Sequence, residues 1–309
     1  MTREHVPVLL EETVAGLLGA QDPRSSLVFV DATFGRGGHS RRLLGLLGPS
    51  ARVIGIDRDP EAEAVGAALA GEDRRFCMHA GQLSNLAALL DELGVGQVQG
   101  VMMDLGVSSP QVDDPLRGFS FQNDGPLDMR MDPRRGVSAA RWIDEAGEAD
   151  IARVLFDLGE ERFARRIAAA IVAARPLRTT GELAAVVRQA QPRATPGKHP
   201  ATRTFQALRM VVNDELGELD AGLAQAFARL APGGRLAVIS FHSLEDRRVK
   251  QFFRACSSPP SLPRRLPVRS AVTAVAARVV ESGCTASPEE LARNPRARSA
   301  RLRVLEKLA

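Results

Sequence analysis

The chain leaves the apolar run L-V-F-V at 27–30 through an acid, Asp31, and enters a glycine-rich segment, D-A-T-F-G-R-G-G-H. A short, bounded run of β-formers predicts a buried strand. Glycines at 35, 37 and 38 predict a loop that opens a helix from about Ser40. Such a loop brings backbone N–H groups to a ligand where side chains would clash. A second apolar run, 52–56, ends in Asp57, twenty residues past Gly37. An acid at the tip of a second strand is where the ribose hydroxyls of a nucleoside cofactor find an acceptor. Together these demands point to an α/β sheet with its ligand at the carboxyl ends of the strands.

The first hundred residues agree with that architecture. Runs at 74–78 and 98–103 read as further strands, and 40–47, 60–70 and 83–93 as the helices between strands. Strands separated by single helices build βαβ units, hence a parallel sheet with right-handed crossovers. A helix over 7–19 precedes them, with Leu9, Leu10, Val14, Leu17 and Leu18 on one face. The alternation stops after Asp104. Residues 105–136, rich in Gly, Pro, Asp and Ser, read as a long ordered loop, and 138–212 as helix throughout. Loops of that length inside a compact domain are usually functional. In the helical block Phe163, Ile167, Ala170, Ile171 and Ala174 form one stripe, with Arg162, Arg165 and Arg166 off it.

The α/β pattern resumes at Glu215. A helix carrying Leu216, Leu219, Leu223, Phe227 and Leu230 is stopped by A-P-G-G at 231–234, because Pro cannot continue a helix and Gly supplies the left-handed turn. A buried strand at 235–240, a helix at 244–254 and a final edge strand at 301–305 follow; the apolar run 271–280 finds no place. The expected organisation is a discontinuous catalytic domain, 1–111 with 214–309, interrupted by a helical substrate-recognition domain at 112–213.

Composition narrows the setting. Hydrophobic content of 44% and charged content of 25% are those of a soluble globule. No apolar run approaches the ~20 residues that span a bilayer, and the N-terminal M-T-R-E-H-V-P lacks a signal-peptide core. Cys77, Cys256 and Cys284 match no disulfide or zinc spacing. A cytoplasmic protein with no membrane segment and no metal is expected. The net charge of +4 is unevenly placed: ten basic residues face four acidic ones over 255–309, and sixteen face thirteen over 112–213. That suits an anionic macromolecular partner. Since 38 of the 41 basic residues are Arg, genome composition explains the bias equally well, and charge alone does not decide.

The chemistry of the loop separates two cofactors. A dinucleotide enzyme has G-x-G-x-x-G directly after its first strand, whereas here the strand ends in an acid and the spacing is D-x-T-x-G-x-G-G. A carboxylate there repels a pyrophosphate but receives the ammonium of S-adenosylmethionine. With Asp57 and the later P-G-G-R-L turn, the pattern favours S-adenosylmethionine, a dinucleotide remaining the alternative. The fourth strand then ends in D-L-G-V-S-S-P-Q at 104–111, and loops beyond strand ends face the reacting group. The S-S-P-Q portion looks like the loop of enzymes that methylate exocyclic amines of bases. Such an amine has its lone pair delocalised into the ring, so acceptors on its N–H groups are needed to aim that pair at the methyl. The Ser108 hydroxyl and Ser109 carbonyl are the candidates. Where that loop usually ends in a stacking aromatic, this chain has Gln111, and Phe119, Phe121 or Phe241 are possible substitutes. The bland alternative is a Ser-Ser-Pro turn with no catalytic role.

Beyond these parts, the chain resembles the ribosomal RNA small-subunit methyltransferase H family (RsmH, formerly MraW) almost end to end. The resemblance is carried by T-F-G-R-G-G-H-S from Thr33, D-R-D-P from Asp57, D-L-G-V-S-S-P-Q-V-D-D from Asp104, R-G-F-S-F from Arg117, G-P-L-D-M-R-M-D from Gly125, K-H-P-A-T-R-T-F-Q-A-L-R from Lys198 and I-S-F-H-S-L-E-D-R from Ile239. It implies a class I S-adenosylmethionine-dependent methyltransferase (Rossmann-like) α/β sheet with an inserted all-helical domain, and methylation of cytosine N4 in 16S rRNA of the small ribosomal subunit. It also implies that Gly37, Gly38 and His39 contact the cofactor, Asp57 its ribose, and Asp104 and Gln111 its adenine and methionine region. After the third strand the family often has an aromatic; here Leu83 supplies an apolar wall. The K-H-P-A-T-R and S-F-H-S-L-E-D-R segments become candidate rRNA contacts. For Lys198, Arg203 and Arg209 a solvated helix edge is the competing reading, and for His242 local backbone capping. Asp128, Arg130 and Asp132 have mutual pairing as their simplest role. A DNA amino-methyltransferase or a non-catalytic ribosome-assembly factor remains the functional alternative.

Overall fold

A computed structural model describes residues 7–191, 199–259 and 275–308. Two compact units are present: Met1–Gly106 with Gly217–Ala309, and Val107–Leu216.

The first unit is a seven-stranded sheet among the described residues: β1 Val28–Asp31, β2 Arg52–Asp57, β3 Phe76–Ala80, β4 Val98–Asp104, β5 Leu230–Ser240, β6 Ala277–Cys284 and β7 Arg301–Lys307, in the order β3-β2-β1-β4-β5-β7-β6. The first five strands pair in parallel, as the βαβ alternation requires. Side chains alternate between two cores. Phe29, Val53, Met102, Ala237 and Ile239 join one cluster, with Val14 and Leu17 of the helix Leu10–Leu18 and Leu69 of the helix Pro60–Glu72. Val30, Ile54, Met103, Leu236 and Val238 join the other, with Leu219 and Leu223 of the helix Glu215–Arg229 and Phe253 of the helix Ser243–Ser257. Strands buried on both faces explain why these runs are continuously apolar rather than alternating.

Three expectations need correction. Residues 301–305 belong to a strand that is not at the edge: β7 lies between β5 and β6, antiparallel to both. The edge is β6, which absorbs the described part of the unplaced run at 271–280; residues 271–274 lie outside the described residues. Four of its eight residues are exposed, so its weak apolar alternation hid it. The A-P-G-G segment does follow the end of a helix, but it lies inside β5. There Val98 pairs with Leu230 and Gly100 with Arg235, so two steps along β4 match five along β5. This is a bulge, which bends the strand without ending it. Finally, β3 begins at Phe76, two residues later than expected, because Asp73 and Arg75 are paired at 2.6 Å ahead of it.

The second unit is helical: Ala139–Glu145, Glu148–Asp157, Ala164–Ala173, Thr180–Ala190 and Thr202–Val212 surround a core that includes Ile143, Ile151, Leu155, Ile167, Ile171, Leu183 and Leu208. Its long leading loop is ordered by two short helical turns, Ser109–Asp113 and Pro115–Arg117, and by a bridge from Pro126 to Thr179. Among the described residues no helix is long and apolar enough to cross a membrane.

Candidate cofactor and catalytic site

In the sheet order the chain runs outward from β1 to β2 on one side and resumes at β4 on the other. Ligands of open α/β sheets bind at such a reversal, outside the carboxyl ends of the strands. Three acids stand at those ends: Asp31 closes β1, Asp57 closes β2 and Asp104 closes β4.

Local hydrogen bonds hold the glycine loop to them. Asp31 accepts from Ser40 Oγ at 2.7 Å and from Thr33 N at 3.4 Å. Asp57 accepts from Gly35 N at 2.8 Å and from Asp59 N at 2.9 Å. Thr33 Oγ1 accepts from Asp104 N at 2.6 Å, tying the loop to β4. A carboxylate has about four acceptor positions, so Asp57 retains capacity for ribose hydroxyls. Leu83 is buried behind this edge, in the core shared with Leu86 and Leu219.

The glycines have a second reason to be glycines. Gly37 has φ +73°, and a Cβ there would lie 2.4 Å from the Phe34 ring; a Cβ on Gly38 would lie 2.1 Å from Pro7. Tight protein packing, not only ligand approach, excludes side chains at both positions. His39 is buried, with Nε2 3.2 Å from the Val8 carbonyl oxygen and Nδ1 3.9 Å from Asp104 Oδ2.

The electrostatics of this edge are unusual. Burial, reinforced by the neighbouring Asp57 charge and opposed by its hydrogen bonds, pushes Asp31 up to about 7. Burial together with the charges of Asp31 and Glu245 pushes Asp104 up to about 8. Burial raises Asp57 as well. Among the described residues no group donates to the buried Asp104 Oδ1. Clustered, under-compensated carboxylates fit a ligand that brings positive charge, as the sulfonium and ammonium of S-adenosylmethionine do.

A stability prediction follows from the sign of these shifts. Both folded values lie above the ordinary carboxylate value, so between about pH 4 and pH 8 the native state holds more protons than the unfolded chain. The cofactor-free protein should therefore lose stability as pH rises through that window and level off above it. Urea midpoints at pH 6 and pH 8.5 measure this; a higher midpoint at 8.5 would contradict it.

Ser108, Ser109 and Gln111 lie in the second unit. Ser108 precedes the helix Ser109–Asp113 as its N-cap, and its N–H donates to the buried Gln111 Oε1 at 2.9 Å. The S-S-P-Q segment is thus a helix start with a capping box, an order that a simple turn reading misses. Phe121, a proposed stand-in for the missing aromatic, is stacked on His199 at 4.4 Å and meets Phe205 edge-on at 5.0 Å. Phe119 sits under the Arg117 guanidinium, and Phe241 packs against the first unit's core.

The remaining candidates divide similarly. Arg130 pairs with Asp128, while Asp132 pairs with Arg134. Arg209 forms a two-pronged pair with Glu215, and Arg203 donates to the Glu160 carbonyl. His242 caps the helix Ser243–Ser257, accepting from Glu245 N at 3.4 Å. Lys198 lies outside the described residues. Two residues escaped sequence reasoning. Asn213 bonds to Met129 and Met131, and Glu245 receives the Phe241 N–H at 2.8 Å. A capping pattern, H-S-L-E, was available for Glu245; nothing local marked Asn213.

The strand order, the glycine loop after β1 and the acids at three strand ends define a class I S-adenosylmethionine-dependent methyltransferase fold. The chain belongs to the MraW methylase family, which it matches over residues 2–308. It is 52% identical to a protein of Thiobacillus denitrificans named ribosomal RNA small subunit methyltransferase H, over 100% of this chain and 99% of that one. A protein of the same name from Thioalkalivibrio sulfidiphilus is 54% identical over 99% of this chain and 98% of its own length. Among solved structures, an rRNA methylase of Streptococcus thermophilus aligns over 99% of both chains at 12% identity with a TM-score of 0.43. Likeness that weak adds nothing to the fold described above.

Proposed function

We propose that this enzyme transfers a methyl group from S-adenosylmethionine to the exocyclic N4 of a cytosine in 16S rRNA, near the decoding centre of the small ribosomal subunit. The observation that supports this most is identity above 50% along the whole chain to proteins named for that substrate. The work would take place in the cytoplasm, where small subunits are found.

Bound S-adenosylmethionine supplies an electrophilic methyl on a sulfonium. The chain's residues do the rest. Asp57 accepts the ribose hydroxyls, Asp31 and Asp104 supply negative charge for the donor's cationic groups, Gly37, Gly38 and His39 shape the loop around it, and Leu83 and Gln111 wall its base. The Ser108 hydroxyl and Ser109 carbonyl accept from the target amine, turning its lone pair out of the ring plane. Attack on a sulfonium needs position more than a strong base. The target cytosine must be unstacked, since a paired N4 has no free lone-pair approach. The helical unit, with Arg162, Arg165 and Arg166 exposed, holds the RNA.

Mass spectrometry of nucleosides tests the assignment. Small subunits from cells lacking the protein should gain one N4-methylated cytidine on incubation with enzyme and donor, while duplex DNA gains none; methyl on DNA alone would refute it. Asp57→Ala should weaken donor binding about tenfold or more, the loss expected for a charged hydrogen bond, and unchanged affinity by calorimetry would remove Asp57 from the ribose. Ser108→Ala should lower turnover about tenfold while donor affinity stays within about twofold. Equal loss of both would speak against its acceptor role.

A further inference from the structure

Four acids crowd the carboxyl edge of the sheet, and three have their oxygens engaged. Asp31 holds Ser40 and Thr33, and Asp57 holds Gly35 and Asp59. Glu245 receives Phe241 N and His242 N and lies 3.0 Å from His242 Nε2. Asp104 differs. Its Oδ1 is buried with no donor among the described residues, yet its side chain is 30% exposed, so Oδ2 is the open oxygen.

That oxygen faces His39 Nδ1 at 3.9 Å. The tautomer of His39 follows from its other nitrogen. Nε2 lies 3.2 Å from the Val8 carbonyl, which can only accept, so Nε2 carries the hydrogen and Nδ1 of the neutral ring keeps a lone pair. Two acceptors therefore face one another, and one added proton satisfies both: a small rotation of a protonated Asp104 gives O–H···N geometry.

We propose that Asp104 is the proton acceptor of the methyl transfer, through Oδ2, and that His39 is the positioning residue that holds the proton there. The inference rests on the amine-methylation reading above. The balance closes without another reactant. The amine lone pair forms the N–C bond while the S–C bond breaks and its electrons stay on sulfur. The N–H bond then gives its electrons to nitrogen, and its proton goes to the carboxylate. A sulfonium and a carboxylate become a thioether and a carboxylic acid, so the edge keeps its net charge. The groups facing Asp104 are Asp31 from β1, Glu245 from the helix Ser243–Ser257 and His39 from the helix Gly38–Leu44. The two acids favour its proton-bound form near neutral pH.

Calorimetry in buffers of different ionisation enthalpy counts protons exchanged when S-adenosylmethionine or S-adenosylhomocysteine binds the full chain without RNA. At pH 7.5 the sulfonium compound should release more protons than its uncharged product. Asp104→Asn should remove at least half of that difference. His39→Gln, whose amide can donate to Oδ2 and favour the carboxylate, should shrink it while the melting temperature holds. An undiminished difference in Asp104→Asn overturns the proposal. In single-turnover methylation of small subunits, Asp104→Asn should slow the step on the order of 10²-fold, within the range of general-base losses. His39→Gln should shift the acid limb of the pH profile to lower pH. A uniform loss with an unmoved limb also counts against the pair. Small subunits that accept no methyl from the unaltered enzyme sink the RNA reading instead, and the RNA-free calorimetry still decides whether Asp104 titrates as proposed.

Discussion

Asn213→Ala should destabilise the helical unit by about 3–4 kcal/mol, the cost of stranding two buried backbone groups. Asn213 is 6% exposed at the end of the helix Thr202–Val212. Its Nδ2 donates to the Met129 carbonyl at 2.7 Å, and its Oδ1 accepts from Met131 N at 2.8 Å. Met129 stands at φ +63° with its side chain fully buried, a conformation that costs of order 1 kcal/mol or more unless its surroundings enforce it. The alanine variant removes that enforcement and leaves a carbonyl and an N–H in the core without partners. The Arg209 carbonyl keeps its bond from the residue's own N–H, so the loss is confined to the D-M-R-M-D segment. Urea unfolding measures the change, and hydrogen exchange at Met131 should accelerate with it. A loss under about 1 kcal/mol, the net worth of an ordinary hydrogen bond, would show that water replaces the amide.

Arg303→Met should cost about 3 kcal/mol, the lower end for breaking a buried ion pair. Arg303 sits in β7 with its side chain 9% exposed, and its guanidinium meets Asp246 through two bonds of 2.8 and 3.1 Å while also donating to the Ser282 carbonyl of β6. One side chain thus pins the antiparallel strand to the first turn of the helix Ser243–Ser257 and to the bulged edge strand. Methionine fills much of the volume but leaves Asp246, 26% exposed, facing only Arg301 at 4.0 Å. Arg303→Lys should recover less than half, because an ammonium cannot reproduce the planar two-pronged contact. A double-mutant cycle with Asp246→Asn, read by urea unfolding, isolates the pair; a coupling near zero would assign the loss to packing.

Much of the fold was legible because its signals are local. The runs at β1, β2 and β4 are apolar on both faces, and each ends in an acid, so both the parallel sheet and its ligand-binding edge could be read from neighbours in the chain. The capping box at Ser108 and the P-G-G bulge were legible as breaks but not as what they are, since a helix start, a turn and a bulge use the same residues. β6 was illegible: half of its residues are exposed, and what makes it a strand is pairing with β7, which follows it by a helix and a turn. The D-M-R-M-D segment shows the same limit. The Asp128–Arg130 pair lies two residues apart and was foreseeable, whereas Asn213 is more than eighty residues away.

By itself the sequence determined which residues bring chemistry: the acids at strand ends, the glycine loop between strand and helix, and the serines after β4. Backbone propensity and hydrophobic period act over a few residues, and these features need no more. Only the tertiary structure decided that β7 is inserted against the run of the sheet, that Pro7 and Phe34 forbid side chains at Gly38 and Gly37, and that Asp104 faces a histidine ring. Those outcomes depend on desolvation and on contacts between distant segments, and both exist only once the chain has closed around them.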